Sequence, residues 1–138
     1  MNKKLIVRIS RTIFAFFFAF HAMVAQCSPQ QPLQVSMLQL IATPERYEGK
    51  KIRVTAFLHL EFEGDAIYLH REDYANAIAS NSIAIELTDV EVIKFKKFQN
   101  SYVLIEGQFA STARGHFGAG QGLISRIARL EGWKVRRK

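Results

Sequence analysis

The sequence predicts a small, mainly β domain of the α+β kind: a five-stranded barrel with a short N-terminal helix and a second helix between strands three and four. Three observations carry this. Residues 51–63 alternate without a break, with Ile52, Val54, Ala56, Leu58, Leu60 and Phe62 on one parity and successive strand side chains pointing to opposite faces. Apolar alternation returns in four later stretches, at 66–70, 82–87, 102–110 and 122–130. Helical spacing appears clearly at only two places, around 36–42 and 88–99.

Residues 1–11 are basic, and 12–25 (TIFAFFFAFHAMVA) are apolar apart from Thr12 and His21. A charged start, an apolar run too short to span a bilayer and small residues at its end describe a signal peptide, assigned to residues 1–27. An uncleaved N-terminal anchor is the first alternative. Lipidation at Cys27 is a lesser one, because Val24-Ala25-Gln26-Cys27 is similar to a bacterial lipobox but carries Gln26 where a small residue is usual. Residues 28–34 form a polar linker, residues 35–133 the barrel domain and residues 134–138 a basic tail. With Cys27 as the sole cysteine, no intramolecular disulfide forms, and the cysteine-free body suits a periplasmic or secreted location.

Within the domain, Ser36 caps a two-turn helix whose Met37, Leu40 and Ile41 share one face, and Pro44 limits it. Residues 45–50 turn the chain into the long strand of residues 51–63, and Gly64-Asp65 returns it as residues 66–70. Matching apolar to apolar pairs Phe62 with Ile67 and Leu60 with Leu69. The same register sets Glu61 opposite Tyr68 and His59 opposite His70 on the polar face. Residues 71–80 suit a short helix or ordered loop, and 82–87 a third strand. Thr88 or Asp89 caps the next helix, with Val92, Phe95 and Phe98 inward and Lys94, Lys96 and Lys97 elsewhere on its surface. Val103, Ile105 and Phe109 face the core from the fourth strand, and Gly107 on the same parity marks a bulge or bend. Residues 111–120 (STARGHFGAG) read as a loop. The fifth strand has imperfect alternation, which implies a bulge or a helical turn, and Trp133 is expected to pack across the barrel end. This order matches the OB-fold, a five-stranded Greek-key barrel; an open α+β sheet of the same elements is the alternative.

The net charge of +7 belongs to the ends. Residues 1–27 and 132–138 each contribute +4, while residues 28–131 sum to −1 from 11 basic and 12 acidic side chains. A near-neutral body lacks the basic groove that a nucleic-acid backbone requires, so nucleic acid is not the expected partner. Membrane contact is expected only through an uncleaved or lipidated N-terminus or through the basic tail.

Pro44-Glu45-Arg46-Tyr47-Glu48-Gly49-Lys50 feeding the long strand, then residues 59–74 (HLEFEGDAIYLHREDY), Tyr102-Val103-Leu104-Ile105-Glu106-Gly107 and the glycine-rich loop with His116 resemble a family of small exported bacterial proteins with an OB-like domain. The resemblance covers residues 34–131 and implies fold and export; it brings no activity.

The one constellation with chemistry is the hairpin's polar face. His59, His70 and Glu61, joined by His116 from the glycine-rich loop, suit Zn²⁺, which takes imidazole and carboxylate ligands, with His59, His70 and His116 the metal set. Two nearby imidazoles also make a pH-sensitive patch. The plainer reading is a polar sheet face hydrogen-bonded to itself. Phe57 and Tyr68 are candidate stacking platforms, or they pack under residues 71–80. No nucleophile elbow or phosphate loop is present. The expectation is therefore a non-enzymatic envelope binding module without a cofactor, its candidate ligand-binding residues being Phe57, His59, Glu61, Tyr68, His70 and His116. A metal-binding protein or metal-dependent enzyme on the His59/His70 patch is the alternative.

Overall fold

The alternation that begins at Ile52 forms the strand on which the others assemble. In the computed structural model, which describes residues 31–62, 64–113 and 120–134, the elements are β1 (Leu33–Gln34), α1 (Met37–Ala42), β2 (Lys51–His59), β3 (Ala66–Tyr68), α2 (Arg71–Ala75), β4 (Ser82–Ile85), α3 (Asp89–Phe95), β5 (Ser101–Ala110) and β6 (Leu123–Gly132). The segment expected to be a signal peptide, with Cys27, the segment with His116 and the end of the basic tail lie outside the described residues.

β2 pairs antiparallel with β3 and β5, β3 antiparallel with β4, β4 parallel with β6, and β6 antiparallel with β5. The five strands thus close on themselves as a mixed, OB-like barrel with α3 between its third and fourth strands. β1, formed by the last two residues of the expected linker, adds a sixth strand parallel to β2. The inward parity is as the alternation predicts: Ile52, Val54, Ala56, Leu58, Ile67, Ile83, Val103, Ile105, Phe109 and Ile124 are buried in one core, joined by Met37 and Leu40 of α1 and Phe95 of α3. Both predicted caps form as capping boxes: Ser36 Oγ accepts from the Gln39 N–H while Gln39 Oε1 accepts from the Ser36 N–H, and Thr88 and Glu91 do the same.

The hairpin differs from its expected form. β2 ends at His59 and β3 runs only from Ala66 to Tyr68, so the connection is longer than the expected two-residue turn. The register is Phe57 with Tyr68, Leu58 with Ile67 and His59 with Ala66, so neither Phe62–Ile67, Leu60–Leu69, Glu61–Tyr68 nor His59–His70 is a pair. The cause is long-range. The Gln99 side chain grips both backbone groups of Leu60, accepting from its N–H at 2.8 Å and donating to its carbonyl at 2.9 Å. The Asn100 N–H donates to the Leu58 carbonyl. Asp65 Oδ1 accepts from the Glu61 N–H, and the Gly64 N–H donates to the Glu61 carbonyl. With those groups taken, the strand cannot continue, and Phe62 is left 89% exposed. The slip is an even number of residues, which is why every inward side chain still points inward.

Gly107 is the predicted irregularity. The register shifts between Glu106 and Gln108, and β6 takes up the excess with Arg126 at φ +51°. A Cβ on Gly107 would lie 2.6 Å from Ile124 Cγ2 and 2.8 Å from the Ser125 carbonyl oxygen. Trp133 remains half exposed, its N–H donating to the Tyr102 carbonyl. Among the described residues no helix is long and apolar enough to cross a membrane.

Candidate functional site

The outward parity of β2 carries Arg53, Thr55, Phe57 and His59, and two different surfaces grow from it. At the C-terminal half, α2 folds over the sheet. His70 precedes α2 and donates its backbone N–H to Asp73 Oδ2, while Asp73 Oδ1 accepts from Asn81 Nδ2 at 2.8 Å. Both oxygens of the buried Asp73 are therefore used, which fixes where α2 lies. Tyr74 then reaches down onto the sheet. Its ring stacks on His59 with centroids 3.7 Å apart and meets Tyr68 edge-on at 5.5 Å. Phe57, 2% exposed, lies 6.3 Å from Tyr74 and meets Tyr102 edge-on at 5.7 Å. What reads as a polar face is a second, aromatic core outside the barrel.

His59 is buried within it. Asn100 Oδ1, which can only accept, lies 2.8 Å from Nδ1 and so sets the proton there. Nε2 faces Glu61 Oε2 at 3.8 Å. Beside them, burial pushes the Asp65 carboxyl above its usual range, opposed by the hydrogen bond from the Glu61 N–H. Burial likewise pushes the Tyr68 phenol up, with help from the Glu61 charge. His70 is exposed beyond β3. The structure brings together His59, Glu61, Tyr68 and Phe57; it does not bring His70 to them, and His116 is outside the described residues. Among the described residues no group of three metal-ligating side chains is assembled.

At the N-terminal half of β2 the surface opens instead. β1 pairs with Ile52 and Arg53, and β3 takes up pairing only from Phe57. The sheet parts between them, and Thr55 floors an open groove of about 670 Å³. Residues 34–39 form one wall, Leu69 and His70 the other, and Tyr102 the end. Tyr102 is 40% exposed and Leu38 62%. Of the candidate ligand-binding residues that are described, His70 alone lines it. Tyr102 had a sequence signal, since Val103, Ile105 and Phe109 on the inward parity place it outward; Gln99 and Asn100 had none, because their roles depend on contacts some 40 residues away.

No family model matches the chain, and no curated protein matches it. Among solved structures it is similar to a DUF3299 family protein from Pseudomonas aeruginosa, with a TM-score of 0.51 and 9% identity over 78% of this chain and the whole of that one. It also aligns with a protein assigned as an aspartyl-tRNA synthetase from Leishmania major, at a TM-score of 0.44 and 13% identity, covering 84% of this chain and 24% of that one. At such identities the likeness to the Pseudomonas protein is one of fold.

Proposed function

We propose that the chain is an exported OB-like binding module of the bacterial cell envelope whose ligand lies in the groove between α1 and the outer face of β2 and β5. One observation carries this reading: Tyr102 presents a part-exposed ring at the end of the groove and is braced from behind by the buried ring of Phe57. A ring held in that way offers a stacking surface at little entropic cost, and Gln34, Thr55 and His70 supply polar partners around it. Such a site suits a ring-bearing ligand, a sugar or an aromatic group. The apolar N-terminal segment and the cysteine-free body support export, and the likeness in fold to the whole of a bacterial protein supports a free-standing module. Binding is favoured over catalysis because His59 is buried beneath Tyr74 and does not line the groove.

The test is titration of the protein with chito-oligosaccharides and soluble peptidoglycan fragments, followed by NMR. Saturable shifts at Thr55, Leu69 and Tyr102, with affinity falling about 10-fold or more in Tyr102→Ala, support the groove. Binding that Tyr102→Ala leaves unchanged overturns it. A parallel titration with Zn²⁺ reads the competing metal hypothesis, whose shifts would centre on His59, His70 and His116.

A further inference from the structure

The aromatic surface does not stop at Tyr102. Opposed residues on neighbouring strands turn their side chains to the same face of a sheet. Phe57 is paired with Tyr68 across β2 and β3, and with Tyr102 across β2 and β5. On the other side of β5, the register with β6 sets Val103 against Gly132. The next pair is therefore Tyr102 with Trp133, and the Trp133 N–H donates to the Tyr102 carbonyl at 2.8 Å. Tyr68, Phe57, Tyr102 and Trp133 thus make one transverse row on the outer face, carried by strands about 4.8 Å apart.

The two halves of this row differ. Tyr74 of α2 covers the first half, its ring 5.5 Å from Tyr68 and 6.3 Å from Phe57. Tyr102 and Trp133 are left 40% and 49% exposed, the first at the end of the groove and the second one strand beyond it. Both are held in place. Phe57 braces Tyr102 edge-on, and a Cβ on Gly132 would lie 3.2 Å from the Phe98 ring, so the backbone leading into Trp133 is packed closely on the barrel. The groove itself supplies hydrogen bonds. Thr55 lies between the residues paired by β1 and those paired by β3, and is paired by neither. The His70 N–H, in line to extend β3 towards it, goes to Asp73 instead. Gln34, Ser36, Gln39 and His70 add polar groups, and no lysine or arginine lines the groove.

Resting on the reading of the groove as a ligand site, we propose that its ligand is an oligosaccharide, with successive sugar units stacked on Tyr102 and Trp133. The hydroxyl and amide groups of the sugars bond to Thr55 and the polar side chains of the groove. Trp133 is then the outer subsite, and it decides how long a glycan is bound well. Repeated ring faces on neighbouring strands match a ligand built of repeated rings. Nucleotide bases could stack on the same rings, but their phosphate backbone calls for cations that the groove lining does not offer.

The test titrates the full chain, in which Trp133 is the only tryptophan, with N-acetylglucosamine and with its β-1,4-linked dimer, tetramer and hexamer. Binding is followed by Trp133 emission and by NMR shifts at Thr55 and Leu69. The expected result is a saturable change in emission with the longer oligomers, and an affinity that rises about 10-fold or more from monomer to hexamer. Trp133→Ala should remove that rise. Trp133→Phe, which keeps a ring, should retain most of it, with melting curves showing that both variants are folded. Hexamer binding that shifts Thr55 and Leu69 but leaves Trp133 emission unchanged, or that is as tight in Trp133→Ala, overturns the inference while the groove reading stands. Absence of saturable shifts with every oligomer also overturns the inference, and if soluble peptidoglycan fragments give none either, the groove reading falls with it. Equal affinity for an oligothymidylate at the same salt overturns the inference in favour of a base-stacking site.

Discussion

The imidazole of His59 lies almost flat on the phenol ring of Tyr74, with centroids 3.7 Å apart and planes 24° from parallel. This single contact joins the end of the central strand to the short helix α2 and converts the outside of the sheet into packed interior. α2 is five residues long and would not persist alone, so its position depends on Tyr74 and on the Asp73 hydrogen bonds. Tyr74→Ala should cost about 2–3 kcal/mol in urea unfolding. Tyr74→Phe, which keeps the ring, should stay within about 1 kcal/mol.

Asn100 has two tasks: it accepts the His59 Nδ1 proton and adopts φ +57°. Separate variants divide them. Asn100→Gly loses only the side-chain bond, and Asn100→Ala adds the strain of a left-handed backbone, so alanine should be the less stable of the two by about 1 kcal/mol. In both, ¹⁵N chemical shifts of His59 should report loss of the fixed Nδ1–H tautomer.

The loop after β2 should respond to pH with a defined sign. Because burial raises the Asp65 pKa in the folded state, the folded chain holds a proton that the unfolded chain has released. This group's contribution to stability therefore falls as pH rises from the ordinary aspartate range through the raised value. Asp65→Asn keeps an acceptor for the Glu61 N–H and removes the buried charge. Its stability relative to the parent should rise with pH across that window and level off above it, as read by urea midpoints at successive pH values. Glu91 runs the other way: hydrogen bonds from Thr88 lower its pKa, so the α3 cap contributes above the ordinary glutamate range and weakens as pH falls through the lowered value.

Gly107→Ala should destabilise the barrel by about 1–3 kcal/mol, since the new methyl meets Ile124 Cγ2 and a backbone oxygen below contact distance. A matched Ile124→Leu in the same chain removes the β-branch methyl Cγ2 and so relieves one of the two clashes, and a double-mutant cycle should show that partial recovery.

The barrel was legible because its strands obey a period of two: β2 begins and β5 runs where alternation places them, and the two capped helices start where Ser36 and Thr88 place them. The hairpin register was not. Phe62 looked like a core residue on parity alone, and only the grip of Gln99 on Leu60 takes it out of the strand. The outer aromatic core was legible only in part: packing of Phe57 and Tyr68 under residues 71–80 was one of two readings and is the one Tyr74 realises, but nothing local says that Tyr74 will also stack on His59. Tyr102 could have been placed from its strand's parity. The groove beside it arises from where β1 and β3 stop, a property of pairing partners rather than of residues.

The pairing of β2 with β5, from Lys51 with Gln108 to Leu58 with Ser101, has a kinetic consequence. Every rung of that ladder joins residues more than 40 positions apart, and the parallel rungs between β4 and β6 are also far apart in sequence. The β2–β3–β4 meander and the β5–β6 pair can form between neighbouring strands, but the barrel closes only when β2 meets β5 and β4 meets β6, so the entropy of closing those long loops makes the folding barrier topological. Refolding should be slow for a domain of this size, in the millisecond-to-second range. A chain ending before β5 would present β2 with an open edge, a species disposed to pair with other copies.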